Sequence, residues 1–148
     1  SDVCSSDLIQ HIREAAEARG LENLEAETAD MNDFDTEARY DRVVSVEMFE
    51  HMRNIGALLD RVHGWLRPHG RLFVHLFAHR WYTYPFVVKD ESDWMSQYFF
   101  TGGLMPSEEL LTRVDSPFRL EQQWRLNGQH YSKTLEAWLG RSLDVWRT

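Results

Sequence analysis

Arg42-Val43-Val44-Ser45-Val46-Glu47-Met48-Phe49-Glu50-His51 is the stretch that decides the fold. Three of its first five residues are β-branched valines that fall on both faces, the pattern of a buried parallel strand, and a polar, acidic tail follows at once. Just downstream, Ile55, Leu58, Leu59, Val62, Trp65 and Leu66 recur at the spacing of one helical face. Arg67-Pro68-His69-Gly70 reads as a turn that stops this helix, and Arg71–Phe77 reads as a second strand of the buried type. Upstream, Ile9, Ile12 and Ala16 share a helical face, and Gly20 suits the position just past a helix end. Leu24–Ala29 reads as a short strand ending at Asp30-Met31-Asn32-Asp33. This alternation predicts an α/β fold with a largely parallel sheet. In such sheets ligands sit beyond the carboxyl ends of the strands, which singles out Asp30–Asn32, Glu47–His51 and His75–His79.

Further along, residues 81–100 are rich in aromatics, Ser107–Val114 predicts a helix, and Arg119–Leu126 alternates like a strand. A last helix carries Tyr131, Leu135, Trp138 and Leu139 on one face. No repeat and no linker rich in Gly, Ser or Pro interrupts the chain, so residues 9–148 read as part of one domain. Residues 1–8 lack periodicity and read as a loose, non-native leader.

The bulk properties exclude several classes. The chain has 148 residues, enough for one domain with a real core, and 43% hydrophobic with 27% charged residues is a globular composition. A net charge of −8 argues against nucleic acid as a partner, since phosphate neutralisation needs a basic surface. The single cysteine, Cys4, rules out an intrachain disulfide and a cysteine-based zinc site. No apolar run reaches the roughly 20 residues of a membrane span, so membrane contact is at most peripheral and a cytoplasmic setting is the default. Residues 1–50 hold 4 basic and 14 acidic side chains. That excess suits a cationic ligand and equally suits solvated surface.

Three constellations carry chemistry. If a helix starts at Glu47, then Glu50 and His51 fall beside it at i+3 and i+4. Two carboxylates and an imidazole there form a proton acceptor or a seat for a cation; alternatively the carboxylates only complement the helix dipole. His75 and His79 are four apart, which in a strand means about 13 Å, too far for one metal ion. His75 alone remains either a site residue or a satisfied core histidine. Eight of the 19 aromatics fall at Trp81, Tyr82, Tyr84, Phe86, Trp94, Tyr98, Phe99 and Phe100, as a pocket wall, a cation-binding face or ordinary core. Gly102-Gly103 and Pro106 follow as a tight turn. No dinucleotide, P-loop or nucleophile-elbow spacing occurs among the glycines.

Ala29–Phe34, Tyr40–Met52, Phe73-Val74-His75, Asp93-Trp94-Met95, Tyr98–Gly103, Met105-Pro106-Ser107 and His130–Trp138 together resemble class I S-adenosylmethionine-dependent methyltransferases. The nearest branches are the cyclopropane-fatty-acyl-phospholipid synthases and the coclaurine-type N-methyltransferases. The resemblance implies a partial Rossmann-like fold with S-adenosylmethionine as cofactor. It places Asp30 and Met31 at the adenine, and Val46 and Glu47 at the methionine portion. In the lipid branch, residues matching Glu50, His75 and Tyr131 hold a bicarbonate that takes the proton; in the amine branch, those matching Glu50 and His51 deprotonate or orient the amine. The first expectation is methylene addition to unsaturated lipid acyl chains, with N-methylation of a small amine as the alternative. Glu47, where the lipid branch usually has Gly, leans to the amine. The glycine-rich cofactor loop and the acidic ribose-binding strand would precede Ile9, and a helical tail would follow Leu139. The chain therefore reads as a fragment truncated at both ends, and an inactive fragment is the third expectation.

Overall fold

The computed structural model describes residues 2–87 and 102–146. Its elements are α1 (Asp2–Ala18), β1 (Tyr40–Val46), a 3-10 turn (Phe49–His51), α2 (Ile55–Trp65), β2 (Leu66–His75), β3 (Tyr84–Pro85), β4 (Leu104–Met105), α3 (Leu110–Arg113) and α4 (Gln129–Trp146). β1 and β2 pair in a two-stranded parallel sheet joined through α2, as the α/β reading expects, and β3 pairs with β4 antiparallel. The chain divides into two compact units, Ser1–Val43 with Gly64–Leu72 and Val44–His63 with Phe73–Thr148.

In the first unit α1 turns Ala16 inward and ends where expected. The Leu21 N–H donates to the Ala16 carbonyl at 3.0 Å, and Gly20 takes φ 64, a left-handed conformation that costs glycine little. Helix already begins at Asp2, so residues 2–8 are not irregular. No strand forms over 24–29. Among the described residues no strand pairs with that segment, and one of its carbonyls, that of Ala26, accepts from Arg13 Nη2 at 2.8 Å instead. Trp65 is buried; its ring meets Phe34 edge-on at 5.2 Å and its Nε1–H donates to Asp35 Oδ1 at 3.1 Å. The turn expected at Arg67–Gly70 is drawn into β2, with His69 at φ 67 marking the bend.

The second unit has its core in Phe49, Ile55, Leu58, Leu59, Val62 and Leu104. The inner face of α2 meets the chain after α3: Gly56 faces Val114, and the His63 ring lies edge-on to Phe118 at 5.6 Å. β1 is not covered on both faces. Ser45 is buried while Val44 and Val46 are 65% and 57% exposed, because a two-stranded sheet leaves one face without a covering layer. The helix expected over 107–114 is only α3, since Ser107 is held extended in a bridge with His79. Residues 119–126 form no strand; they attach through Gln123 Nε2 to the Glu108 carbonyl and through the Arg125–Glu108 ion pair. α4 forms as expected, though Tyr131, Leu135, Trp138 and Leu139 are exposed. Among the described residues no helix is long and apolar enough to cross a membrane.

Candidate functional site

The end of β1 and the end of β2 meet in the second unit. There the Glu47 N–H donates to the His75 carbonyl at 2.9 Å. Glu47 has φ 53, a left-handed conformation uncommon for a residue with a Cβ, and one that clusters at functional sites. Its carboxylate Oε1 lies 2.8 Å from His75 Nδ1. That contact is close enough for an ion pair but lies outside hydrogen-bond geometry, and His75 Nδ1 is a buried nitrogen with no other partner among the described residues. His75 is thus not a satisfied core histidine.

Glu50 is the deepest member of the group, 1% exposed beside the equally buried Phe49. Among the described residues neither of its carboxyl oxygens has a hydrogen-bond partner of good geometry. Loss of water around it raises its pKa above 4.5; its own N–H and that of Phe77 approach and act the other way, while the Glu47 carboxylate adds to the rise. Desolvation wins because the two N–H groups sit too loosely to replace the lost hydration. The carboxyl is therefore biased to hold a proton and ready to accept a positive neighbour.

The spacing argument is met in part. Glu47 and Glu50 do interact, but the helix is a single 3-10 turn rather than an α-helix, so the dipole reading loses its basis. His51 points to the exposed side of the turn. Tyr131, on α4, packs its ring edge-on to Phe77 at 5.0 Å, and Phe77 is the residue whose N–H approaches Glu50. Structure thus links Glu47, Glu50 and His75 directly and Tyr131 through Phe77. Val46 is exposed at the end of β1. Asp30 and Met31 belong to the first unit, where the Asp30 carboxylate closes a turn by accepting from the Asn32 N–H and Nδ2, both at 2.8 Å.

His79 lies beyond the end of β2, not in a strand, and its Nδ1 accepts the Trp81 and Tyr82 N–H groups at 3.1 and 2.9 Å. That nitrogen is already engaged, and no group of three potential metal ligands occurs among the described residues. Trp81 has the Arg80 guanidinium 4.7 Å over its ring, so this aromatic meets a cation of its own chain. Trp94, Tyr98, Phe99 and Phe100 lie outside the described residues. A groove of about 650 Å³ along α1, lined by Arg13, Glu14, Glu17 and Glu27 among others, holds none of the expected site residues. Two contributors lie outside the stretches that the sequence singles out for ligands, Gly103 against the Glu50 carbonyl and Arg53 bonded to the Gly102 carbonyl, whereas Phe77 lies within His75–His79. The double glycine at 102–103 was a visible turn signal, but its nearness to Glu50 was not.

A model of the mycolic acid cyclopropane synthetase family matches residues 3–147. The chain is 35% identical over 134 residues to (S)-coclaurine N-methyltransferase of Thalictrum flavum subsp. glaucum, covering 89% of this chain and 37% of that protein. It is 29% identical over 119 residues to cyclopropane-fatty-acyl-phospholipid synthase of Escherichia coli (strain K12), covering 79% and 28%. A crystal structure of coclaurine N-methyltransferase bound to N-methylheliamine and SAH superposes with a TM-score of 0.81 at 33% identity, covering 92% of this chain and 40% of that one. The chain spans less than half the length of these relatives. With the match running through nearly all of its residues, the chain belongs to the mycolic acid cyclopropane synthetase family.

Proposed function

We propose that the protein to which this chain belongs is an S-adenosylmethionine-dependent methyltransferase whose acceptor is the nitrogen of a small amine. One observation carries the reading: a buried Glu50 carboxyl group with unfilled acceptor capacity beside Glu47, at the meeting of two strand ends. Such a pair suits a cation. The relatives favour the amine over the lipid acceptor expected first from sequence: relatives named N-methyltransferases match at 29–35% identity, and relatives named cyclopropane-fatty-acyl-phospholipid synthases at 29%.

The residues present fit the cofactor's charge, because among the described residues Glu50 and Ser45 keep buried oxygens without hydrogen-bond partners, and such oxygens suit a sulfonium or ammonium. S-adenosylmethionine, when bound, supplies a methyl group already activated for transfer. The chain's own residues then have two tasks, alignment and proton removal. On the family resemblance, Asp30 and Met31 would hold the adenine, and Val46 and Glu47 would border the methionine portion. Glu50 takes the proton from the protonated amine, which frees the nitrogen lone pair. Its raised pKa brings it nearer to the ammonium and makes it a stronger base than an exposed carboxylate. His75 lies against the Glu47 carboxylate and keeps it in place, His51 orients the amine from the solvent side, and Tyr131 fixes Phe77. With a lipid alkene instead, Glu50, His75 and Tyr131 would hold bicarbonate as the proton acceptor. The domain containing residues 9–148 acts as one methyltransferase domain on this reading.

Product analysis decides between the acceptors. The intact protein is incubated with methyl-labelled S-adenosylmethionine and either a benzylisoquinoline-type secondary amine or vesicles of unsaturated phosphatidylethanolamine. Label in the amine is the expected result. Label confined to cyclopropanated acyl chains overturns the amine reading.

A further inference from the structure

The turn that carries Glu50 is held by residues about fifty positions downstream. Gly103 is buried against it: a Cβ built there would lie 2.3 Å from the Glu50 carbonyl oxygen and 3.3 Å from His51 Cα. Real Cβ contacts essentially never fall below 3.0 Å, and the obstructing atoms are backbone, so the turn itself would have to move. On the other side, Arg53 Nε–H donates to the Gly102 carbonyl at 2.6 Å. Gly102 adopts φ 78, which favours glycine and aims that carbonyl. The glycine pair is anchored in turn, since the Phe86 N–H donates to the Gly103 carbonyl at 3.1 Å and Leu104 pairs with Pro85. Leu104 and Pro106 are buried just beyond.

We infer that Gly103 and Arg53 are positioning residues for Glu50, clamping the Phe49–His51 turn so that its carboxyl stays out of water. Gly103 does so through the absence of a side chain, Arg53 through one hydrogen bond. Neither touches substrate. The inference rests on the proposed function only for its effect on turnover; the placement of Glu50 can be read independently. Among the described residues, the Glu47 carboxylate acts on that carboxyl and His75 contacts Glu47, while His51 and Arg53 lie on the same segment as Glu50. A clamp and a mere charge predict opposite shifts. If the clamp opens, water reaches Glu50 and its titration midpoint falls; if Arg53 acts only as a cation, its removal raises the midpoint.

The experiment uses the intact protein with carboxyl-¹³C glutamate, the Glu50 signal being assigned by its loss in Glu50→Gln. Gly103→Ala is expected to lower the Glu50 midpoint toward the ordinary 4.5 and to cut turnover at least tenfold. Arg53→Ala should shift the midpoint the same way by less, and Arg53→Lys should restore part of the difference. An unmoved midpoint in Gly103→Ala overturns the inference, even if turnover falls, because that is what simple destabilisation gives. If Gly103→Ala does not fold, the Arg53 pair decides: an unmoved or raised midpoint in Arg53→Ala overturns it. Full turnover in Glu50→Gln would remove the proposed function while leaving the titration result to judge the clamp.

Discussion

Asp30–Asp35 and Glu47–Glu50 are both acidic stretches at which ligand contacts were expected or near them, yet their carboxylates live under opposite conditions. Asp30 accepts two hydrogen bonds from Asn32, and Asp35 accepts from the Thr36 N–H at 2.8 Å and from Trp65 Nε1. These groups are satisfied within their own unit and close turns. Glu50 is buried, like its neighbour Phe49, and meets no well-placed donor among the described residues. A carboxylate with its needs met organises the backbone, whereas one whose desolvation is uncompensated has free energy to gain from a cation or a proton.

The largest expected effect comes from abolishing the unmet group. Glu50→Gln should reduce methyl transfer by the intact protein more than tenfold, within the roughly 10²–10⁴-fold range of general-base removal. Wild-type turnover would make the two stretches functionally equivalent. Next, Phe49→Ala should empty a fully buried site in the turn that carries Glu50 and cost about 3–5 kcal/mol in denaturant unfolding. A loss below about 1 kcal/mol would mean that Phe49 does not anchor that turn.

Smaller effects sharpen the contrast through pH. Glu50's folded pKa is raised, so the folded state binds more protons than the unfolded state between 4.5 and the folded value. The contribution is fully favourable below 4.5 and is lost as pH rises through the folded value. Melting temperatures measured across this window should fall with pH for wild type and flatten in Glu50→Gln, with the variant more stable at pH 7 by on the order of 1 kcal/mol. A variant no more stable than wild type at neutral pH would show that Glu50 is well solvated after all. Asp30→Ala should give the smallest change, about 0.5 kcal/mol for exposed hydrogen bonds. It should raise the KM for S-adenosylmethionine several-fold with little effect on turnover at saturation. A fall in saturated turnover as large as that of Glu50→Gln would place Asp30 in the proton chemistry instead.

Much of this layout is legible in the residues. The apolar runs at 42–46 and 71–77 and the helical period between them specify a strand–helix–strand unit, and they place Glu47, Glu50 and His75 near strand ends. Two expected strands fail for one reason. Leu24–Ala29 and Arg119–Leu126 have the local pattern, but a strand exists only with a partner, and side chains of Arg13, Gln123 and Arg125 tie these segments down instead. Likewise the period at Ser107 favours helix until the His79 bridge holds it extended.

By itself the sequence determined the α/β alternation, the family and the short list of groups able to move a proton, because these depend on residue type and near-neighbour spacing. Tertiary structure alone decided that Glu50 turns inward and His51 outward, that Glu47 takes a left-handed backbone toward His75, and that Gly103 lies against the Glu50 carbonyl. Burial and close approach are properties of segments meeting across some thirty to fifty residues, and no local pattern encodes the water that such a meeting removes.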